Sequence, residues 1–271
     1  MASFRTPPGD PLTHGNSRVK EARKLARRSF RAEQRLFLAD GPKAVEGALA
    51  TVLDDGSSCV VEVFATPSAA AQYAGLLADA PVTLVDDRAL ASLSDSVTPA
   101  GIVAVGRFLD RPLAQVLAAS PRLVVIAADV RDPGNAGTVI RCADAAGADA
   151  VILAGDAVDL YNPKTIRASV GSVFHLPVAL ERDPLAAVRA AQAAGLGVLA
   201  ADMDGRDLFA ADDLLAKPTA WLMGNEAWGL PDALRDAADE VISIPIYGGA
   251  ESLNLATAAA VCLYASARAQ R

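Results

Sequence analysis

The sequence has little of the chemistry that metal sites and histidine-based catalysis require. Its 271 residues include only two histidines and three cysteines. No two cysteines form a CxxC motif, so neither a zinc site nor a histidine-dependent triad is expected, and we predict no bound metal. The odd number and wide spacing of Cys59, Cys142 and Cys262 predict free thiols in a reducing compartment.

Long hydrophobic runs and nucleotide-binding fingerprints are missing as well. No stretch of about 18 uncharged apolar residues occurs, so no membrane span is predicted. The N-terminal MASFRTPPGDPLTHG lacks the apolar core of a secretory signal, and a cytoplasmic location is expected. Neither GxGxxG nor GxxxxGK[ST] is present, which disfavours a dinucleotide or nucleoside triphosphate site.

Positive charge is scarce overall but concentrated at one end. The net charge is −7, whereas residues 1–35 hold nine Lys/Arg against three Asp/Glu, so this segment is +6 and the remainder −13. A basic segment on an acidic body predicts phosphate contacts with a nucleic acid. A solvated, arginine-rich helix explains the same composition equally well.

Apolar runs alternate with helical patterns in two halves of the chain, which predicts an α/β protein. We expect a disordered tail at 1–16, a basic helix and small α/β domain at 17–106, a linker at 107–121, and a larger α/β domain at 122–271. In the second half, the near-continuous apolar strands between helices predict a parallel sheet covered on both faces.

Three polar, glycine-containing loops follow strands of the second half. They are DPGNAG at 132–137, GNEAWGL at 224–230 and IPIYGGAESLN at 244–254. Taken singly, each could be an ordinary turn, with Asn135 or Ser252 as a helix cap. Because ligands bind beyond the carboxyl ends of parallel strands, the three together predict a site lined by main-chain groups and suited to an adenosine-containing ligand.

In this order and spacing, the segments DPGNAGTVIR, LMGNEAWGL and IPIYGGAESLNLATAAAV resemble the three motifs of the SpoU/TrmH family of RNA 2'-O-ribose methyltransferases, in the SPOUT superfamily. The resemblance covers about 122–267. Residues 35–105 are similar to the small α/β substrate-binding domain often attached in front of the methyltransferase domain.

The resemblance implies a fold and a reaction that composition alone would not suggest. It implies a C-terminal α/β trefoil-knot methyltransferase domain, a homodimer with its active site near the subunit interface, and S-adenosylmethionine as cofactor. The implied function is methyl transfer to a ribose 2'-hydroxyl of structured RNA, with 23S ribosomal RNA favoured. Transfer RNA as substrate, or a non-catalytic RNA-binding or ribosome-assembly role, stays open.

The resemblance also implies site residues. Those implied in catalysis are Asn135, Arg141, Glu226, Ser252 and Asn254. Those implied in cofactor binding are Leu222, Gly224, Asn225, Gly229, Ile244 and Leu253.

Four of these positions, together with Trp228, raise questions that the sequence leaves open. A guanidinium is effectively always protonated, so Arg141 is either a base under unusual local conditions or a cation that binds RNA and stabilises the 2'-oxygen. Asn135, six residues earlier, would converge with Arg141 only if it lies in the turn before the helix. Glu226 is expected to orient either its loop or Arg141, and Ser252 to cap the last helix. Trp228 could stack a base or adenine, although partial core burial is favoured.

Overall fold

The computed structural model describes residues 10–271. The chain divides into two compact units. An N-terminal unit comprises the described residues up to Leu109 together with Tyr161–Phe174, and a C-terminal unit comprises Asp110–Leu160 and His175–Arg271. Of the predicted disordered tail, residues 1–9 lie outside the described residues.

Helices and strands are numbered separately in chain order. The helices are α1 Ser17–Arg23, α2 Arg28–Gln34, α3 Pro42–Ala50, α4 Pro67–Gln72, α5 Asp87–Ala91, α6 Leu113–Ala118, α7 Pro133–Ala146, α8 Pro163–Ala168, α9 Pro184–Ala193, α10 Asp212–Leu215, α11 Asp232–Ala237 and α12 Leu255–Gln270. The strands are β1 Leu36–Asp40, β2 Val60–Ala65, β3 Val82–Leu84, β4 Ile102–Arg107, β5 Leu123–Ala128, β6 Ala150–Ala154, β7 Val178–Glu181, β8 Gly197–Asp207, β9 Thr219–Met223 and β10 Glu240–Ser243. Short 3-10 helices occupy Lys24–Ala26, Ser172–Phe174 and Leu208–Ala210.

The N-terminal unit is built on a four-stranded mixed sheet. Its strand order is β1-β4-β2-β3. Strand β4 runs antiparallel to both β1 and β2, and β2 runs parallel to β3. The α/β character expected of this region is therefore present, with a mixed rather than purely parallel sheet.

Residues 10–16 are ordered in the structure, which corrects the prediction for that part of the tail. The Leu12 amide donates to the Leu84 carbonyl at 2.8 Å, and the Asp86 amide donates to the Leu12 carbonyl at 3.0 Å. The Asn16 side chain caps α1 by accepting from the Arg18 amide. These main-chain bonds and the cap extend the ordered structure ahead of the first helix.

The segment Tyr161–Phe174 is also placed differently from the prediction, which assigned it to the second domain. It groups with the N-terminal unit because its aromatic residues pack there. The Tyr161 ring lies 3.6 Å from the Phe108 ring and 5.0 Å from the Phe37 ring, centroid to centroid. Burial of three aromatic rings in one cluster stabilises this packing.

The C-terminal unit contains the parallel sheet that the sequence predicts. Six strands pair in the order β10-β8-β9-β5-β6-β7, and every pairing is parallel. All residues of β5, β6 and β9 are buried, which explains why these strands are apolar throughout.

The predicted linker at 107–121 is wrong in its middle part. Residues 113–118 form α6, and its Val116 and Leu117 are buried in the core of the C-terminal unit. With Leu113, which packs against the same core, these residues stand at i, i+3 and i+4 and form one apolar face that docks the helix on the sheet. Within residues 10–271, no helix has the length and apolarity that crossing a membrane requires.

Candidate functional site

The three loops leave the same edge of the parallel sheet. The first joins β5 to α7, the second follows β9, and the third joins β10 to α12. Strands β5 and β9 are direct neighbours in the sheet. Because all the strands are parallel, the loops that follow them emerge on one side, as the sequence predicts.

Glu226 of the second loop binds the first loop. Its carboxylate accepts hydrogen bonds from the Arg131 and Asp132 amides at 3.3 and 3.1 Å, and from Nδ2 of Asn135 at 3.1 Å. The Asn135 side chain accepts in turn from Nδ2 of Asn254, at 3.0 Å. One chain of side-chain hydrogen bonds thus connects all three loops, and Glu226 orients a loop rather than Arg141.

Two helix starts differ from the predictions. Helix α7 is capped by Asp132, whose side chain accepts from the Asn135 amide at 2.8 Å, so Asn135 lies inside the first turn. Helix α12 is capped by Asn254 and begins at Leu255, which leaves the exposed Ser252 before the helix. Asn254 takes the cap because its oxygen reaches the first amides of the helix.

The second loop is held closely by main-chain contacts. Asn225 and Gly229 exchange two main-chain hydrogen bonds of 2.9 Å, and Nδ2 of the buried Asn225 donates to the Asp129 carbonyl at 2.6 Å. A Cβ on Gly224 would lie 2.5 Å from the Gly229 carbonyl oxygen and 2.7 Å from the Leu230 nitrogen. Gly224 is therefore required by close main-chain approach, and Gly229, with φ +69°, by its left-handed conformation.

Arg141 stands apart from this network. It is exposed on α7 and makes no ion pair with any residue of the described range 10–271. Since Asn135 also lies in α7, the six-residue step between the two positions rotates the helix by about 600°, so the two side chains point about 120° apart and the expected convergence within one chain does not occur. Burial raises the pKa of the neighbouring Cys142 thiol, and the positive charge of Arg141 opposes that shift.

The residues predicted to bind a cofactor differ in whether their side chains or only their main chains are accessible. Leu222 is a residue of β9 whose side chain is completely buried in the core, so a cofactor can contact no more than its main chain. Ile244 and Leu253 are half-buried in the third loop. The second and third loops therefore present main-chain donors and acceptors beside partly exposed apolar side chains.

A cation–π pair that the sequence does not predict lies beside Glu226. The Arg131 guanidinium carbon lies 5.1 Å from the centroid of the Trp228 ring. Trp228 is 53% exposed, so its side chain is more open to solvent than the favoured partial core burial implies. The loop turns between Asn225 and Gly229, so the indole projects from its tip instead of packing underneath.

Two family models match the chain. Residues 122–264 match the SpoU rRNA Methylase family, and residues 16–104 match the MRM3-like substrate binding domain. The first match spans the three loops, and the second spans most of the N-terminal unit.

Relatives that match nearly the whole chain are similar in both sequence and structure. A 23S rRNA (guanosine(2553)-2'-O)-methyltransferase, RlmP, of Bacillus subtilis is 32% identical over 249 residues, covering 92% of this chain and 95% of that protein. The AdoMet-bound rRNA methyltransferase of Sinorhizobium meliloti has a TM-score of 0.80 at 34% identity, covering 93% and 95%.

A third relative adds a second solved structure with its cofactor. The SpoU methyltransferase AviRb of Streptomyces viridochromogenes, in complex with AdoMet, has a TM-score of 0.77 at 31% identity, covering 93% of this chain and 98% of that chain. Domain match, near-complete coverage and site geometry agree: the chain belongs to the SpoU rRNA methylase family.

Proposed function

We propose that this protein transfers a methyl group from S-adenosylmethionine to a ribose 2'-hydroxyl of 23S ribosomal RNA. The observation that carries the proposal is the hydrogen-bonded chain from Glu226 through Asn135 to Asn254, which joins the three family motifs at one edge of the parallel sheet. The similarity over nearly the whole chain to the 23S rRNA methyltransferase of B. subtilis and the rRNA methyltransferase of S. meliloti supports rRNA as the substrate class.

The donor groups present are compatible with the cofactor. The second loop is a backbone turn closed on itself by Asn225 and Gly229, and Ile244 and Leu253 supply half-buried apolar surface. Main-chain polar groups beside apolar side chains suit an adenosine-containing ligand. We propose that Leu222, Gly224, Asn225, Gly229, Ile244 and Leu253 hold it, with Leu222 contributing main-chain groups alone.

When bound, S-adenosylmethionine supplies a methyl group already activated on a sulfonium. The chain's own task is therefore to align the ribose and to manage one proton. Asn135, bound to Glu226, and Asn254, bound to Asn135, position the RNA side of the site, and the exposed Ser252 contacts substrate from the third loop.

Arg141 acts in this proposal as a cation. A guanidinium stays protonated at neutral pH, and Arg141 has no ion-pair partner among residues 10–271 that would neutralise it. It binds an RNA phosphate and stabilises negative charge that develops on the 2'-oxygen, and the proton leaves to water or phosphate.

The family membership also supports a proposal for the assembly and location. We propose a homodimer in the cytoplasm, in which each C-terminal unit is tied into a trefoil knot and the site lies near the subunit interface. Within one chain, Arg141 and Asn135 point to different sides of α7. In the dimer, the second copy would supply the surface that faces Arg141. Light scattering of the purified chain, with two subunits expected per particle, tests the dimer.

Methyl transfer to defined RNAs tests the function directly. Unmodified 23S rRNA and bulk tRNA transcripts are incubated with the protein and tritiated S-adenosylmethionine, and 2'-O-methylated positions are mapped by resistance to alkaline hydrolysis. Incorporation at one 23S rRNA position is expected. Incorporation into tRNA alone would reassign the substrate, and cofactor-independent RNA binding without incorporation into any RNA would indicate a non-catalytic assembly protein.

A further inference from the structure

Trp228 occupies an unusual place for a large aromatic side chain. The protein has two tryptophans. Trp221 is completely buried in β9, and its indole nitrogen donates to Ser266 Oγ at 2.9 Å, whereas Trp228 is 53% exposed. The exposed indole lies two residues from Glu226, inside the loop that joins the proposed site.

Arg131 holds the indole from one side. Its guanidinium lies 5.1 Å from the ring centroid and is anchored by a 3.1 Å ion pair with Asp156. The Arg131 amide also donates to Glu226, so the main chain of one loop and the ring of the other are fixed together. Because Trp228 is more than half exposed although one face is covered, the opposite face is open to solvent.

An open aromatic face beside a ribose-binding site matches the chemistry of unpaired RNA. RNA that is recognised in single-stranded loops and bulges has its bases stacked on aromatic or arginine planes. A 2'-hydroxyl can be methylated only where the sugar is accessible, and the base attached to that sugar must lie close to the reacting oxygen. A cation fixed on the ring, as Arg131 is, leaves the other face for a neutral, planar ligand.

We propose that Trp228 is an RNA-binding residue, whose open face stacks an unpaired nucleobase at or next to the methylated ribose, with Arg131 as the positioning residue for the indole. The proposal rests on the function proposed above. It adds a specificity-determining contact made by Trp228 and Arg131. The side chains of these two residues take no part in the hydrogen bonds that join the three loops.

The two tryptophans make the contact directly measurable. Emission excited at the indole edge is recorded while the full chain is titrated with in vitro transcribed 23S rRNA, and separately with S-adenosylmethionine alone. RNA is expected to quench Trp228, and Trp228→Phe is expected to remove that quenching while leaving the buried Trp221 signal. Quenching by the cofactor alone, without a further change on adding RNA, would assign the face to adenine and overturn the proposal.

Substitutions separate stacking from other roles. Trp228→Leu is expected to raise the KM for RNA by about five- to 150-fold, with kcat at saturating RNA and cofactor affinity unchanged, since one base–aromatic stack contributes about 1–3 kcal/mol to binding. Trp228→Phe, which retains an aromatic face, is expected to stay within about threefold of wild type. Phe209→Leu is the matched control, because Phe209 is 56% exposed in the same unit and outside the three loops.

Each result bears on one claim. A wild-type KM for Trp228→Leu, or an unquenched wild-type emission on saturation with RNA, would exclude the stacking contact even if methyl transfer proceeds. RNA-dependent quenching lost in Trp228→Phe, combined with no methyl transfer by the wild type, would retain the contact and reject the proposed reaction.

Discussion

Two arginines on helices, one in each unit, show opposite uses of the same side chain. Arg31 in α2 is 3% exposed, and its guanidinium donates to the Leu25 and Ala26 carbonyls at 2.8 Å each. Arg141 in α7 is exposed and has no ion pair within residues 10–271. The fold uses the first cation to satisfy the main chain, and the second remains available for a ligand.

The comparison changes how the basic N-terminal segment is interpreted. Its nine Lys/Arg predict RNA contacts as a group, yet Arg31 is buried, Arg18 pairs with Glu62, and Lys24 pairs with Glu21 at 2.6 Å. A count of Lys and Arg along the sequence therefore overstates the positive charge available to contact a nucleic acid, because some of these residues are buried or ion-paired. Exposed residues such as Arg28, rather than the whole segment, are the candidates for phosphate contact.

Removing Arg141 gives the largest expected effect. Arg141→Ala is expected to lower kcat for methyl transfer by at least about a hundredfold, because it deletes the cation that stabilises the developing oxyanion. Cofactor affinity, measured by calorimetry, is expected to stay within a few-fold. Arg189→Ala is the control, since Arg189 is an exposed arginine on α9 of the same unit. A fully active alanine variant would remove Arg141 from the mechanism.

Removing Arg31 should affect stability and leave the chemistry alone. Arg31→Ala leaves two carbonyls without their donor and is expected to lower the free energy of unfolding by about 3 kcal/mol. Chemical denaturation measures the loss, and Arg28→Ala, at an exposed position of the same helix, should change it by less than about 0.5 kcal/mol. Equal losses in the two variants would contradict a structural role specific to Arg31.

Much of this arrangement was accessible from the sequence, for identifiable reasons. The fully buried strands β5, β6 and β9 are apolar without interruption, and Pro, Gly and Asn mark the loops that follow them, so both sheet and loops could be placed. The bond from Glu226 to Asn135 joins residues 91 apart, and the bond from Asn254 to Asn135 joins residues 119 apart. Periodicity carries no information about such pairs.

The remaining differences between prediction and structure arise where two residues or two packing environments compete for the same role. Asp132 and Asn135 are both good helix caps, and only the observed geometry shows that Asp132 takes the position. The segment Tyr161–Phe174 follows its aromatic contacts into the N-terminal unit rather than its position in sequence. Trp228 is exposed because a closed turn between Asn225 and Gly229 carries it outward, and hydrophobicity alone favoured the core.

A third variant tests whether the second loop needs its close main-chain approach. Gly224→Ala places a Cβ 2.5 Å from the Gly229 carbonyl oxygen and is expected to cost about 2 kcal/mol of unfolding free energy and to weaken cofactor binding. Gly197→Ala is the matched control in the same unit, because its added Cβ meets nothing nearer than 3.7 Å. Unchanged stability and cofactor affinity in Gly224→Ala would show that the loop can relax.

The smallest expected effect is a pH dependence in the N-terminal unit. Burial, together with the negative charge of Asp95, raises the pKa of Asp40 above its ordinary value of 3.8, whereas the Ser94 hydroxyl, donating at 2.6 Å, and Arg167, at 3.9 Å, act in the opposite direction. Because the folded-state pKa is raised, this group's stabilisation is complete below the ordinary value and is lost as pH rises through the raised one.

Asp40→Asn should remove that dependence. The amide oxygen can still accept from Ser94, and no charge forms on the side chain. The wild type should therefore lose unfolding free energy relative to the variant as pH rises from about 4 to 7. Denaturation at a series of pH values measures the difference between the two curves. Asp79→Asn, which removes an exposed carboxylate of the same unit that does not act on Asp40, controls for the loss of one negative charge. If the unfolding free energy of Asp40→Asn instead falls relative to that of the wild type as pH rises, attraction by Arg167 outweighs burial at Asp40. The ionised carboxylate would then stabilise this unit, as the Glu226 carboxylate holds the loops of the C-terminal unit together.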